Sequence, residues 1–214
     1  KENFSGSDFF KGMKSVMTIH NLKFQGRWIM SEIKDVTGLG DEYFTSDKLE
    51  LYGDASYLKG GLVYADKITT VSDTYSKEIT TEEYGEGLNP LLFARRNDLS
   101  GIVNGISYDD WNPLRDEFIY EKYSKRDVFS KKKLNKTKLQ EELGLEVNPD
   151  KMMVGIVSRL TDQKGLDLIA YVMERICEGG MQLVILGTGD EKYEGLFRHY
   201  SWKYPDRVAS CISF

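Results

Sequence analysis

Two apolar runs, Met152-Met153-Val154-Gly155-Ile156-Val157 and Met181-Gln182-Leu183-Val184-Ile185-Leu186, the second interrupted only by Gln182, flank a stretch in which Leu166, Ile169, Met173 and Ile176 fall at helical spacing. Runs without polar alternation read as strands buried on both faces, and two such strands joined by a helix lie parallel. Gly179-Gly180 closes the helix, Gly187-Thr188-Gly189-Asp190 turns into a further helical stretch that ends before Pro205, and residues 208–214 read as a third strand. The order β-α-β-α-β predicts an α/β fold built on a parallel sheet.

Between the first strand and its helix stands Ser158-Arg159-Leu160-Thr161-Asp162-Gln163-Lys164, with a cation near each end of a short turn. A loop that leaves a strand and enters a helix aims backbone N–H groups and a positive helix dipole at one spot, which suits a phosphate. The alternative is two solvated cations on a surface turn. Ligands of such sheets sit beyond the carboxyl ends of the strands, where the Gly187–Gly189 loop also falls. Gly187-Thr188-Gly189 is less than a dinucleotide fingerprint, since the third glycine is missing, but it permits close approach of a ligand.

The first half repeats this grammar less regularly. Residues 15–19 read as a strand ending in His20-Asn21, residues 67–71 as a second ending in Ser72, and residues 99–103 as a third ending in Asn104-Gly105. His20 should emerge at the carboxyl edge of that sheet, as a catalytic group or as a structural hydrogen bonder. Asn104 stands at the handover between halves, where a simple turn is the other reading. Residues 107–123 show no period and read as a connection. The expected domains are therefore 1–106 and 107–214. The lysine-rich run from Lys131 to Lys138 continues to Gly144 as an exposed helix with a glycine stop.

Composition removes several classes. With 29 basic against 34 acidic residues the net charge is −5, which argues against general affinity for nucleic acid or an anionic membrane. No apolar run reaches the length needed to cross a bilayer. The two cysteines, Cys177 and Cys211, have neither Cys-x-x-Cys spacing nor nearby histidines and read as reduced core residues. The chain opens on Lys1 rather than Met, so the expectation is a piece of a longer protein.

Taken together, five segments resemble the bacterial glycogen synthases and plant starch synthases. Met17-Thr18-Ile19-His20-Asn21-Leu22-Lys23-Phe24-Gln25-Gly26 is similar to that family's first-domain histidine motif, and Tyr64-Ala65-Asp66-Lys67-Ile68-Thr69-Thr70-Val71-Ser72 to its next strand and turn. Leu99-Ser100-Gly101-Ile102-Val103-Asn104-Gly105-Ile106 with Trp111-Asn112-Pro113 resembles its interdomain segment. The stretch from Val157 to Gly165 resembles its phosphate-binding loop, and Leu186-Gly187-Thr188-Gly189-Asp190 the loop after it.

The resemblance implies a GT-B glycosyltransferase of two Rossmann-like domains. Residues 1–106 would be the later part of the first, acceptor-side domain, and 107–214 a linker with the early part of the second, nucleotide-sugar domain. Such enzymes transfer glucose from ADP-glucose to the non-reducing 4-hydroxyl of an α-1,4-glucan with retention. By the same resemblance Arg159 and Lys164 would hold the pyrophosphate, His20 would contact the transferred glucose, Asn104 would contact sugar, and Gly187, Thr188 and Gly189 would leave room for the nucleotide. No cofactor and no metal is expected, because cationic side chains meet the charge. A bacterial cytoplasmic location is implied, with a plastid as the alternative.

Two departures matter. The family's amino-terminal Lys-x-Gly-Gly-Leu is not found in its context; Lys59-Gly60-Gly61-Leu62 follows His20 rather than preceding it and reads as a separate segment. The family's late pair of glutamates is also not reached. The chain alone is therefore expected to be inactive and prone to self-association. A UDP-glucose enzyme of the same architecture, and a nucleotide- or glucan-binding module without catalysis, remain the other readings.

Overall fold

Val16, Ile19 and Ile68 carry the strand preference of the amino-terminal unit, Lys1–Ile106; the second unit is Ser107–Phe214. The computed structural model describes residue 4 and residues 6–213. In chain order the first unit holds β1 (Val16–Ile19), β2 (Arg27–Trp28), α1 (Met30–Thr37), β3 (Glu50–Leu51), β4 (Asp54–Ser56), α2 (Tyr57–Tyr64), β5 (Lys67–Thr70), α3 (Asp73–Glu78), α4 (Asn89–Ala94) and β6 (Leu99–Gly101). Strands β1, β5 and β6 form a parallel sheet in that order, with Ile19 opposite Thr70 and Ile68 opposite Leu99. The expected strands are present, each shorter at one end: Ser15, Val71, Ile102 and Val103 lie outside them.

A second, antiparallel sheet of order β2-β4-β3 lies between β1 and α2 in the chain, where the sequence shows no strand pattern. Its strands are too short to display a period. Helix α2 starts where Ser56 accepts a hydrogen bond from the Lys59 N–H at 3.1 Å. Arg95 closes the other end of that helix: its guanidinium donates to the carbonyls of Leu62 at 2.6 Å and Ala65 at 2.8 Å, and to the Asp98 carboxylate at 3.0 Å. One fork thus satisfies carbonyls that a helix end leaves without partners. Lys59 is buried and donates to the carbonyls of Ser46 (2.6 Å) and Glu50 (2.5 Å), so the Lys-Gly-Gly-Leu segment is structural here. Its glycines receive neighbours, Gly60 facing the Leu49 side chain and Gly61 that of Met17.

The second unit runs α5 (Val128–Glu142), β7 (Met153–Val157), α6 (Leu166–Glu178), β8 (Gln182–Leu186), α7 (Glu191–Lys203) and β9 (Val208–Cys211). Its parallel sheet has the order β7-β8-β9, with Val157 opposite Leu186 and Leu186 opposite Cys211. This is the predicted β-α-β-α-β. The third strand ends at Cys211 rather than continuing, and Phe214 lies outside the described residues. The core gathers Leu160, Met173, Leu183, Ile185, Phe197 and Val208, and burying each large apolar side chain contributes about 1.5–3 kcal/mol.

Residues 107–127 carry turns and bends without helix or strand. The lysine-rich helix begins at Val128, and its lysines pair with acids: Lys131 with Glu121 at 2.6 Å and Lys133 with Asp150 at 2.8 Å. Gln140 is the exception on this polar helix. Fully buried, it donates to Gln182 Oε1 at 2.6 Å while its own oxygen accepts from the Asn148 N–H at 3.0 Å, which fastens α5 to the start of β8. Cys177 and Cys211 are both unpaired thiols, and burial pushes the Cys177 thiol up.

Candidate functional site

Beyond the carboxyl ends of β7 and β8, the two loops of the second unit are joined backbone to backbone. The Ser158 N–H donates to the Leu186 carbonyl at 3.1 Å, Leu160 N–H to the Thr188 carbonyl at 2.8 Å, and Asp190 N–H to the Leu160 carbonyl at 2.8 Å. Leu160 and Gly189 form an isolated parallel bridge, so the sheet is continued past its named strands. A side chain at either glycine would collide with this neighbour. A Cβ on Gly187, whose φ is +149°, would overlap the Ser158 carbonyl oxygen, and a Cβ on Gly189 the Leu160 carbonyl. The glycines are thus required by the adjoining loop, whatever ligand approaches them.

Arg159 and Lys164 bracket this joint. Both are exposed, and among the described residues neither makes an ion pair. Between them Asp162–Lys164 forms a single 3-10 turn, which Gly165 ends in a left-handed conformation (φ 66°) as it opens α6. No side chain caps that helix, so its first N–H groups face the loop region without a protein acceptor of that kind. Two unpaired cations beside an uncapped helix start are an arrangement whose charge and N–H groups suit an anion.

Asp162 carries the negative charge of the loop, and it is matched. Its Oδ1 accepts from Lys192 Nζ at 2.6 Å and from the Tyr193 hydroxyl at 2.5 Å. The hydrogen bond to this carboxylate raises the pKa of both donors above their ordinary values. The next residue, Glu194, accepts from the Gly189 N–H at 2.9 Å, and that backbone bond is the first cause of its lowered pKa. Asp162, Lys192, Tyr193 and Glu194 had no role in the sequence reading. The signal that could have found them is the polar first turn Glu191-Lys192-Tyr193-Glu194, placed by the preceding glycine turn against the basic loop.

The other predicted residues lie in the first unit. His20 follows β1 directly and is exposed; the strand end is held by Thr70 Oγ1 donating to the Ile19 carbonyl at 2.8 Å. Asn21 turns the chain by accepting the Lys23 N–H on its side chain at 3.0 Å. Asn104 lies three residues past β6, exposed. Since β1 and β6 belong to one parallel sheet, His20 and Asn104 leave it at the same edge, separated by the width of β5. Among the described residues no three His, Cys, Asp or Glu side chains converge as a metal-holding group, and no helix is long and apolar enough to cross a membrane.

Parallel α/β units with their loops at the strand ends are the architecture of nucleotide-binding α/β folds, and the likeness to a starch synthase catalytic domain narrows this to the GT-B class of glycosyltransferase fold. The catalytic domain of starch synthase IV from Arabidopsis thaliana, solved bound to ADP and acarbose, superposes on 99% of the chain with a TM-score of 0.87 and 29% identity. A family model described as the starch synthase catalytic domain matches residues 1–94. Glycogen synthase of Lachnospira eligens is 59% identical over all 214 residues, and that of Thermotoga maritima 46%. Over its whole length the chain is thus similar to glycogen synthases and to a starch synthase. It spans about half the length of these relatives, 45% of the first and 44% of the second.

Proposed function

We propose that the second unit holds the diphosphate of ADP-glucose through Arg159 and Lys164, and that the protein to which the chain corresponds transfers glucose to the non-reducing 4-hydroxyl of an α-1,4-glucan with retention. The observation that carries this reading is the pair of unpaired cations on a loop fastened to the Gly187–Gly189 turn. When the sugar–phosphate bond breaks, negative charge collects on the departing diphosphate and an oxocarbenium-like carbon remains. Fixed cations and helix N–H groups stabilise that state more than the ground state, which is what lowers the barrier.

Residues 1–106 act in this reading as the acceptor-side domain, with His20 contacting the transferred glucose and Asn104 a sugar. Residues 107–214 act as the nucleotide-sugar domain, with Gly187, Thr188 and Gly189 against the nucleotide. The ADP and acarbose bound by the Arabidopsis relative support both the nucleotide and the glucan assignments. A cytoplasmic location belongs to the same reading, and so does self-association, which the exposed edge of β1 supports; light scattering of the chain tests the latter.

Calorimetric titration of the 214-residue chain with ADP, UDP and maltooligosaccharide tests the assignment. ADP should bind, UDP more weakly, and Arg159→Ala or Lys164→Ala should weaken ADP about tenfold or more. Equal ADP affinity in the wild type and both variants would remove the phosphate role from this loop.

A further inference from the structure

We infer that Asp162 is a positioning residue for the diphosphate site, a latch that fixes the Arg159–Lys164 loop to the first turn of α7 through Lys192 and Tyr193. This rests on the loop being the diphosphate site proposed above. A carboxylate within such a loop is otherwise unwelcome, since it repels the anion that Arg159 and Lys164 attract. Here it is neutralised by Lys192, whose ammonium also lies 4.7 Å from the centre of the Tyr193 ring.

The anchor at the far end is rigid. Tyr193 is buried at 4% exposure among Leu160, Phe197 and Ile185, so only its hydroxyl reaches out to the loop. The loop is held at two depths. Leu160, fully buried, ties the stretch just after Arg159 to Gly189 and Asp190, and Asp162 ties the stretch just before Lys164 to Lys192 and Tyr193. Without the second tie, the 3-10 turn that carries Lys164 would be held only at its two ends, by buried Leu160 on one side and by buried Leu166 at the start of α6 on the other. Ordering that turn when the anion arrives would then weaken binding.

Titration of the whole chain with ADP, paired with thermal melting, tests the latch in Asp162→Ala, in Lys192→Met with Tyr193→Phe, and in the triple variant. Asp162→Ala should weaken ADP about tenfold, the double variant should weaken it further because it also leaves the Asp162 carboxylate bare beside the anion, and the triple should return to the level of Asp162→Ala, because the contact and the bare charge are then both gone. Asp162→Asn, which keeps an acceptor for Tyr193, should recover part of the loss. A merely structural Asp162 would lower the melting temperature and leave ADP affinity unchanged. If Arg159→Ala weakens ADP while Asp162→Ala and the double variant do not, the latch is wrong and the diphosphate site stands. A wild-type chain that ignores ADP overturns both. The double variant keeps the loop's own sequence, so the test survives if Asp162→Ala does not fold.

Discussion

Leu160 and Gly189 pair as a parallel bridge three residues beyond the ends of β7 and β8, so the basic loop and the glycine turn form one continuous surface. The backbone of one loop occupies the space where the other would carry side chains. That contact, rather than either loop alone, sets where Arg159 is held.

The pairing predicts the effect of filling that space. Gly187→Ala and Gly189→Ala should each destabilise the chain by about 2–4 kcal/mol, because the new Cβ meets a backbone carbonyl that cannot move without unzipping the bridge. Urea unfolding checks this; a change below about 0.5 kcal/mol would mean the loops do not pack as described.

Loss of either cation should appear in turnover. In a synthase carrying this segment, Arg159→Ala or Lys164→Ala should reduce glucose transfer from ADP-glucose to glycogen by about a hundredfold or more. Arg159→Lys should restore only part, since an ammonium lacks the two-pronged geometry of a guanidinium. Near-normal incorporation of labelled glucose by both alanine variants would sink the assignment.

Lys59 offers the converse test. Its ammonium is committed to the carbonyls of Ser46 and Glu50, so Lys59→Met should lower stability by about 1–3 kcal/mol and leave ADP affinity as it was. Calorimetry on the folded variant separates the two effects. A large loss of ADP affinity would show that this lysine serves the ligand rather than the fold.

Glu174 predicts a pH response. Its carboxylate is held below the ordinary range chiefly by a hydrogen bond from Lys203 at 2.6 Å, then by the hydroxyls of Tyr204 and Tyr200. A depressed carboxylate contributes stability above its unfolded pKa of about 4.3 and loses it as the pH falls through the folded value. Tyr204 and Lys203 are both raised, chiefly by their bond to Glu174, so their contribution is complete below an unfolded pKa of about 10 and fades as the pH rises through the folded values. Glu174→Gln should flatten both limbs of a melting-temperature profile taken from pH 3 to pH 11; an unchanged profile would show that the cluster does not act in solution.

Parts of the fold were legible because their cause is local. The apolar runs of β7 and β8 and the helical spacing of Leu166, Ile169, Met173 and Ile176 are written in consecutive residues. The small sheet of β2, β4 and β3 was not legible, since strands of two or three residues carry no period and are fixed by pairing partners such as Arg27 with Ser56. The loops of the candidate site divide in the same way. Arg159 and Lys164 stood out by charge at a strand end, whereas Asp162 and Tyr193 meet across thirty-one positions of sequence.

The sequence by itself determined the parallel β-α-β-α-β order of the second unit and the edge at which its basic and glycine loops emerge, because period, strand ends and helix starts depend on neighbours in the chain. Tertiary structure alone decided that Gly187 and Gly189 make room for the other loop, that Lys59 serves two carbonyls, and that Asp162 is neutralised by Lys192. Each of these depends on groups brought together by packing, and contact between distant residues leaves no period in a single chain.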